Sequence, residues 1–269
     1  MIGPGLADKA AAILRRDVFT AMRYRSASVL TIAGVAAELA AFYYLAKAIG
    51  PSFRPEGTDY FSFLVVGTGF YTFLVMGIHS FLHTVQEAQQ GGTFEFLMTT
   101  PTAPSIVLCL SALSAFSRNA VQFVLYLGAG LLLLKEPLRP RELGASVMVF
   151  LLSVAIAVAI GMMAAALQVA TQKGSVILWA LGSGAWLLTG TLFPVADLPR
   201  WLRSTANLIP LTHALNAMRS ALLEGSGRSK LLQEIGVLAA FCLVLLPLGL
   251  LSFSYSLRRA RLQGTLSSY

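Results

Sequence analysis

Two ionisable residues stand deep inside long apolar blocks, Glu38 within 27–49 and Arg118 within 104–134. A charge near the middle of a bilayer costs at least about 2.5–3.5 kcal/mol, so such a residue calls for a partner or a polar cavity. Glu38 lies about 12 residues into its block and Arg118 about 14 into its own. At a rise of about 1.5 Å per residue both reach a depth of roughly 20 Å, provided the two helices run the same way. Two chemistries stay open for them: a buried ion pair, or the lining of a path for a polar substrate. A third set, His79, His83 and Glu87, recurs at i, i+4, i+8 on one helical face, a spacing that metals use. No wider zinc motif surrounds it, and polar residues at the inner end of an apolar helix are ordinary, so no metal is assigned.

Other constellations are missing from the sequence. A phosphate-binding loop needs Gly-Lys-[Ser/Thr], because the lysine must reach the phosphates from a glycine-rich turn. None of Lys9, Lys47, Lys135, Lys173 and Lys230 follows a glycine. There is no H-E-x-x-H and no G-x-S-x-G, and the apolar blocks hold no nucleophile–base pair. The chain is therefore read as a non-enzyme. Cys109 and Cys242 both lie inside apolar blocks and read as small buried hydrophobes.

The elements that must position Glu38 and Arg118 follow from composition. Of 269 residues 56% are apolar and 12% charged, against about 25% charged in a soluble domain. The apolar residues fall in blocks long enough to cross a bilayer, which takes roughly 20 residues per helix. This excludes a soluble enzyme, a disordered tail and a coiled coil. The net charge of +8 would suggest nucleic acid in a soluble protein. Here many basic residues flank apolar blocks, which points to anionic lipid headgroups and orientation signals rather than to nucleic acid.

Six blocks read as spans: 27–49, 60–82, 104–134, 143–170, 175–193 and 232–257. The first is too long for the apolar core of a signal peptide and is read as retained. Ahead of it, 7–25 carries Leu14, Val18 and Met22 on one face and Arg15, Arg16, Arg23 and Arg25 largely on the other, the pattern of a helix lying at the membrane surface. Between the last two blocks, the stripe Leu198, Trp201, Leu202, Thr205, Leu208 and Ile209 is interrupted by Pro210 and resumes at Leu211, Ala214, Leu215, Met218 and Leu222. Each piece is amphipathic and too short to cross about 30 Å of hydrocarbon, so 194–223 reads as a helical hairpin that enters one face and returns. Phe42, Tyr43, Tyr44, Phe61, Phe63, Phe70, Tyr71 and Phe73 cluster at the outer ends of the first two spans and read as an interfacial aromatic belt.

Orientation rests on the first helix. Lys9, Arg15, Arg16, Arg23, Arg25, Lys173, Arg258, Arg259 and Arg261 fall on one side, and an equal number (Arg54, Lys135, Arg139, Arg141, Arg200, Arg203, Arg219, Arg228 and Lys230) on the other. The bias across the first span puts the N-terminus in the cytoplasm, and six spans return the C-terminus there.

The polar stretch QEAQQGGTFEFLMTTP at 86–101 resembles a signature of type-2 ABC exporter permeases, with the match falling on Glu87, Gly92, Thr93, Glu95, Leu97 and Pro101. It departs from the family in having Phe94 where leucine is usual and no Lys or Arg. A second stretch at 190–222 is similar to the family's Phe-Pro…Leu-Pro…Asn-x-x-Pro…Arg pattern, through Phe193, Pro194, Leu198, Pro199, Asn207, Pro210 and Arg219. The resemblance covers nearly the whole chain, and the order of parts agrees. It implies an all-α polytopic membrane protein forming one domain over 1–269. The parts are six transmembrane helices, an N-terminal amphipathic interface helix (7–25), a cytoplasmic coupling helix between spans 2 and 3 (86–100), and an extracellular re-entrant hairpin between spans 5 and 6, in which Trp201 also stands.

The resemblance further implies an ABC transporter permease that exports a lipid, glycan or drug-like substrate across a bacterial or archaeal plasma membrane. Its partners would be a second copy of itself, two copies of a separate ATP-binding subunit and membrane lipid. ATP and Mg would be held by the partner, with no cofactor in this chain. Glu87, Gly92, Thr93, Phe94, Glu95, Phe96 and Leu97 would make the ATPase contact. The competing reading is a secondary transporter or channel without an ATPase. Proton coupling normally needs several embedded carboxylates, and Glu38 alone qualifies.

Overall fold

The structure is a computed structural model and describes residues 25–91, 104–133, 143–171, 173, 175–180, 184–223 and 228–263. The expected interface helix over 7–24 and the segment 92–100, which holds most of the expected coupling helix, lie outside the described residues.

All regular structure among the described residues is helical. In chain order the helices are α1 (Arg25–Ile49), α2 (Tyr60–Gln90), α3 (Pro104–Leu133), α4 (Leu143–Thr171), α5 (Ser175–Ala180), α6 (Trp186–Leu188), α7 (Arg200–Ala206), α8 (Pro210–Leu222) and α9 (Arg228–Gln263). Among the described residues, four helices are long and apolar enough to cross a membrane: Leu30–Ile49, Tyr60–Gln90, Gly144–Thr171 and Ser229–Ala260. α3 is also long, at 30 residues.

The caps show why these helices begin and end where they do. Asp59 opens α2 by accepting the Ser62 amide on its carboxylate at 3.4 Å, which satisfies one of the donors a helix start leaves orphaned. The turn before it is tight, with Glu56 at φ 53° and its carboxylate 3.0 Å from Lys230 Nζ at the start of α9. Pro210 stands at the first position of α8, where a missing N–H costs nothing. The proline expected to break an amphipathic run thus begins the second helix.

α2 is the centre of the bundle. Phe63, Leu64, Phe70, Leu74, Ile78 and Leu82 are fully buried, and α2 packs on α1, α3, α4 and α8. Its Phe73 stacks on Phe123 of α3 and Phe150 of α4 at centroid distances of 5.0 and 5.3 Å, and meets Phe116 edge-on at 4.9 Å. Offset and edge-on rings of this kind each add about 0.5–1.5 kcal/mol beyond their buried area. This corrects the aromatic-belt reading for span 2. Phe61, Phe63, Phe70, Tyr71 and Phe73 are buried, because α2 is enclosed on nearly every side. Tyr44 of α1 does face outward.

The other main contact joins α4 to α9 along small residues. Ser256 donates to the Ala166 carbonyl at 2.8 Å, and Gly249 sits against the Ala159 backbone. Small residues let helix backbones approach where lipid gives no hydrophobic drive for association.

Candidate functional site

A cavity of about 270 Å³ opens between α1, α2 and α3. Its walls are three stripes of identical spacing: Thr31, Gly34, Val35 and Glu38 from α1; Gly69, Thr72, Phe73 and Met76 from α2; Asn119, Gln122, Phe123 and Tyr126 from α3. Each stripe runs i, i+3, i+4, i+7, one face of a helix over two turns. α2 runs antiparallel to α1 and α3 in the up-down order, which sets Glu38, Gly69 and Tyr126 at one end and Thr31, Met76 and Asn119 at the other. The register agrees with the contacts. Gly69 has no side chain because the Tyr126 ring lies where its Cβ would be, 2.6 Å away. At the other end Asn119 Nδ2 donates to Ser80 Oγ at 3.1 Å and ties α3 to α2.

Glu38 is partly buried at this wall, and the Tyr126 hydroxyl is buried without a hydrogen-bond partner among the described residues. The sequence points to Glu38 through its depth. Thr31, Thr72, Asn119, Gln122 and Tyr126 go unnoticed there, although the period-3.6 polar stripe on span 3 is a signal that identifies three of them. Arg118 precedes Asn119 on α3, but its side chain lies outside the described residues, so its expected pairing with Glu38 stays an expectation.

The segment 189–222 is organised by Arg219. The expected fifth span over 175–193 gives way earlier: α6 ends at Leu188, and Thr189 to Phe193 form a turn with Gly190 at φ 77°. The cause is Arg219 of α8, 2% exposed. It donates to the carbonyls of Gly190 (2.7 Å), Thr191 (2.9 Å) and Phe63 (3.2 Å). Its guanidinium also lies 3.5 Å from the centroid of the Phe63 ring. Within the turn, the Thr189 and Thr191 hydroxyls bond each other at 3.0 Å. A planar cation with five donors suits this cluster of carbonyls.

Around it, Phe193 is partly buried, and Pro194 is buried and leads into the short turn Val195–Asp197. Pro199 precedes α7 in extended conformation. Arg203 donates to the carbonyls of Ala196 and Leu198, folding α7 back on that turn. Trp201 is 71% exposed, and Asn207 closes α7. α8 presents Leu211, Ala214, Leu215 and Met218 to α2, α4 and α9. Two short helices stand here, and the break between them falls at 207–209, with Pro210 opening the second.

A second polar tie, invisible from sequence spacing, joins the hairpin to α9. His213 Nδ1 lies 2.6 Å from the Glu234 carboxylate and Nε2 lies 2.9 Å from the Asn207 carbonyl. Both partners present oxygen atoms, an arrangement that favours the imidazolium, which can donate from both ring nitrogens. The bond to Glu234 raises the His213 pKa above its usual 6.5, opposed by burial and helped by the Asn207 carbonyl. A raised native pKa gives stability that is fully present below the unfolded value and lost as pH rises through the native one. Replacing His213 by Gln is expected to cost about 1.5 kcal/mol below pH 6.5, with the cost shrinking at higher pH. Melting temperatures of both proteins across pH check this, and a pH-independent difference would contradict it.

Of the expected ATPase-contact residues, only Glu87 is described. It belongs to the last turns of α2, which continues to Gln90, and pairs with His83 at 3.4 Å on an exposed face. Gly92, Thr93, Phe94, Glu95, Phe96 and Leu97 lie outside the described residues. Among the described residues, no three His, Cys, Asp or Glu side chains gather as metal ligands.

No curated protein sequence matches this chain. A family profile does: ABC-2 type transporter, over residues 10–223. The matched range takes in the polar stretch at 86–101, the Glu38 cavity and the hairpin up to the end of α8. With long apolar helices around a central α2 and a matching profile over most of its length, the chain belongs to the ABC-2 type transporter family, the membrane-spanning permeases of ABC transporters.

Proposed function

We propose that this chain is the permease of an ATP-driven exporter, acting as a pair of copies with two copies of a separate ATP-binding subunit on the cytoplasmic side. The observation that carries the reading is the family match across 10–223. The missing Gly-Lys-[Ser/Thr] motif supports it, since energy must then arrive by contact. Six spans, with α3 and the 175–188 region added to the four long apolar helices, would leave both termini in the cytoplasm of a bacterial or archaeal cell. Outward-facing Leu30, Ile32, Tyr44, Leu243 and Leu251 suit lipid contact.

The transmission element in this reading is 86–100. α2 has 31 residues, a length of about 46 Å against about 30 Å of hydrocarbon. Its last turns, with exposed His83 and Glu87, therefore project toward the partner. Thr93 would cap a short helix carrying Phe94, Phe96 and Leu97 as apolar anchors, and Pro101 would stop it. Glu95→Ala and Phe96→Ala are each expected to cut ATP-driven transport at least tenfold while the membrane part stays folded. Transport and ATPase rates in reconstituted complexes test this. Unchanged transport in both variants would place the coupling contact elsewhere.

A further inference from the structure

We propose that the cavity between α1, α2 and α3 binds the protonated amine head of a small amphiphile. The inference rests on the exporter reading only in making that amphiphile a transported substrate. The binding site itself stands on the cavity's chemistry.

Among the described residues lining the cavity, Glu38 carries the one carboxyl group, and none is a lysine, arginine or histidine. A carboxylate in the apolar layer of the membrane needs a cation or a set of donors. The neighbouring lining side chains supply acceptors and hydroxyls rather than positive charge: Thr72, Asn119, Gln122 and Tyr126. Asn119 has spent one of its two amide N–H donors on Ser80 Oγ, and its carbonyl oxygen stands as an acceptor.

Tyr126 is the second, independent sign. Its side chain is 6% exposed, and its hydroxyl is buried without a partner among the described residues. Such a group costs about as much as a lost hydrogen bond unless a ligand satisfies it. The register of the three stripes brings it to the same end as Glu38, across the bare Gly69. An ammonium has three donors and no acceptor, which matches a carboxylate and a phenolic oxygen on one wall.

The remaining wall fixes the rest of the ligand. Phe73 and Phe123 present rings to the cavity alongside Val35 and Met76, so an apolar or aromatic body adjoins the charged head, and ring faces attract cations. The volume of about 270 Å³ lies just under the usual range of about 300–1,000 Å³ for sites that enclose a drug-sized molecule. The cavity therefore takes a head and its first ring, with the tail left to the lipid along the outward-facing α1. An anionic or purely neutral ligand would offer the Glu38 carboxyl group no cation.

The test uses the full chain in nanodiscs, with 4-octylbenzylamine and its neutral counterpart 4-octylbenzyl alcohol as probes. The amine should bind at least tenfold more tightly than the alcohol. Glu38→Gln should remove that preference by weakening the amine at least tenfold while leaving the alcohol within twofold. Tyr126→Phe should weaken the amine about threefold, and Glu38→Asp should keep part of the preference, which separates lost charge from a misfolded wall. Equal binding of amine and alcohol, or an amine affinity unmoved by Glu38→Gln, overturns the proposal. If the amine binds as stated but ATP does not drive its export in the assembled complex, the site stands and the exporter reading falls. If ATP drives export of another compound while the amine shows no preference, the exporter reading stands and the site falls.

Discussion

Replacing Arg219 with Ala is expected to destabilise the membrane domain by on the order of 3–5 kcal/mol, the range for breaking a buried, hydrogen-bonded charge cluster. The side chain is fully enclosed and holds three carbonyls on two distant parts of the chain. Its removal leaves the Gly190 and Thr191 carbonyls without their donors and opens a cavity beside Phe63. Arg219→Lys should rescue little, since one ammonium cannot span the three acceptors and lie flat on the ring.

A companion substitution makes the cause specific. A Cβ on Gly67 would lie 1.8 Å from Arg219 Nη2 and 2.7 Å from its Cζ, so Gly67→Ala should damage the same staple from the other side. Because Ala at 219 removes that clash, the Gly67→Ala/Arg219→Ala double variant should be far less destabilised than the sum of the single losses. Thermal unfolding of the four purified proteins in one detergent measures the cycle. Strict additivity would show that the two residues do not share one network.

The second large effect is expected at Gly249. In α9 it stands two residues after Pro247, which has no backbone N–H to donate. A Cβ at 249 would come 2.8 Å from the Ala159 carbonyl oxygen and 3.1 Å from its Cα. These are backbone atoms, so no rotamer change relieves the contact and α9 must move away from α4. Gly249→Leu should therefore cost about 1–3 kcal/mol or somewhat more from overpacking, and should also strain the Ser256 bond to Ala166 two turns on. Gly236 of the same helix is the control, with open space where its Cβ would be. Gly236→Ala should be neutral or stabilise by about 0.5–1 kcal/mol through helix propensity alone. A melting temperature for Gly249→Leu equal to wild type would mean that the α4–α9 seam is looser than its geometry implies.

Both predictions concern contacts between residues far apart in the chain, and this marks the boundary of what the sequence determined. Apolar block length, proline placement and helical periodicity are local quantities. They were enough to specify long apolar helices and an interruption close to Pro210, though not that Pro210 opens the second helix. The depth of Glu38 in its block was local too, and it marked that residue as one that needs a partner or a polar cavity. The motif at 190–222 singled out Arg219, but only as one position in a pattern.

Which face meets which neighbour was decided by the tertiary structure. The aromatics of span 2 have the same composition whether they face lipid or a core, and only the enclosure of α2 by α1, α3, α4, α5 and α8 places Phe70 and Phe73 inside. Arg219 reaches Phe63 across 156 residues, and Glu234 reaches His213 across a loop and two helix termini. No sequence period encodes such pairs, because each depends on the mutual rotation and depth of separately formed helices. The cavity is of the same kind. Each of its three stripes reads as an ordinary helical face, and the site exists only because packing on Gly69 and the Asn119–Ser80 bond bring the three faces to a common level.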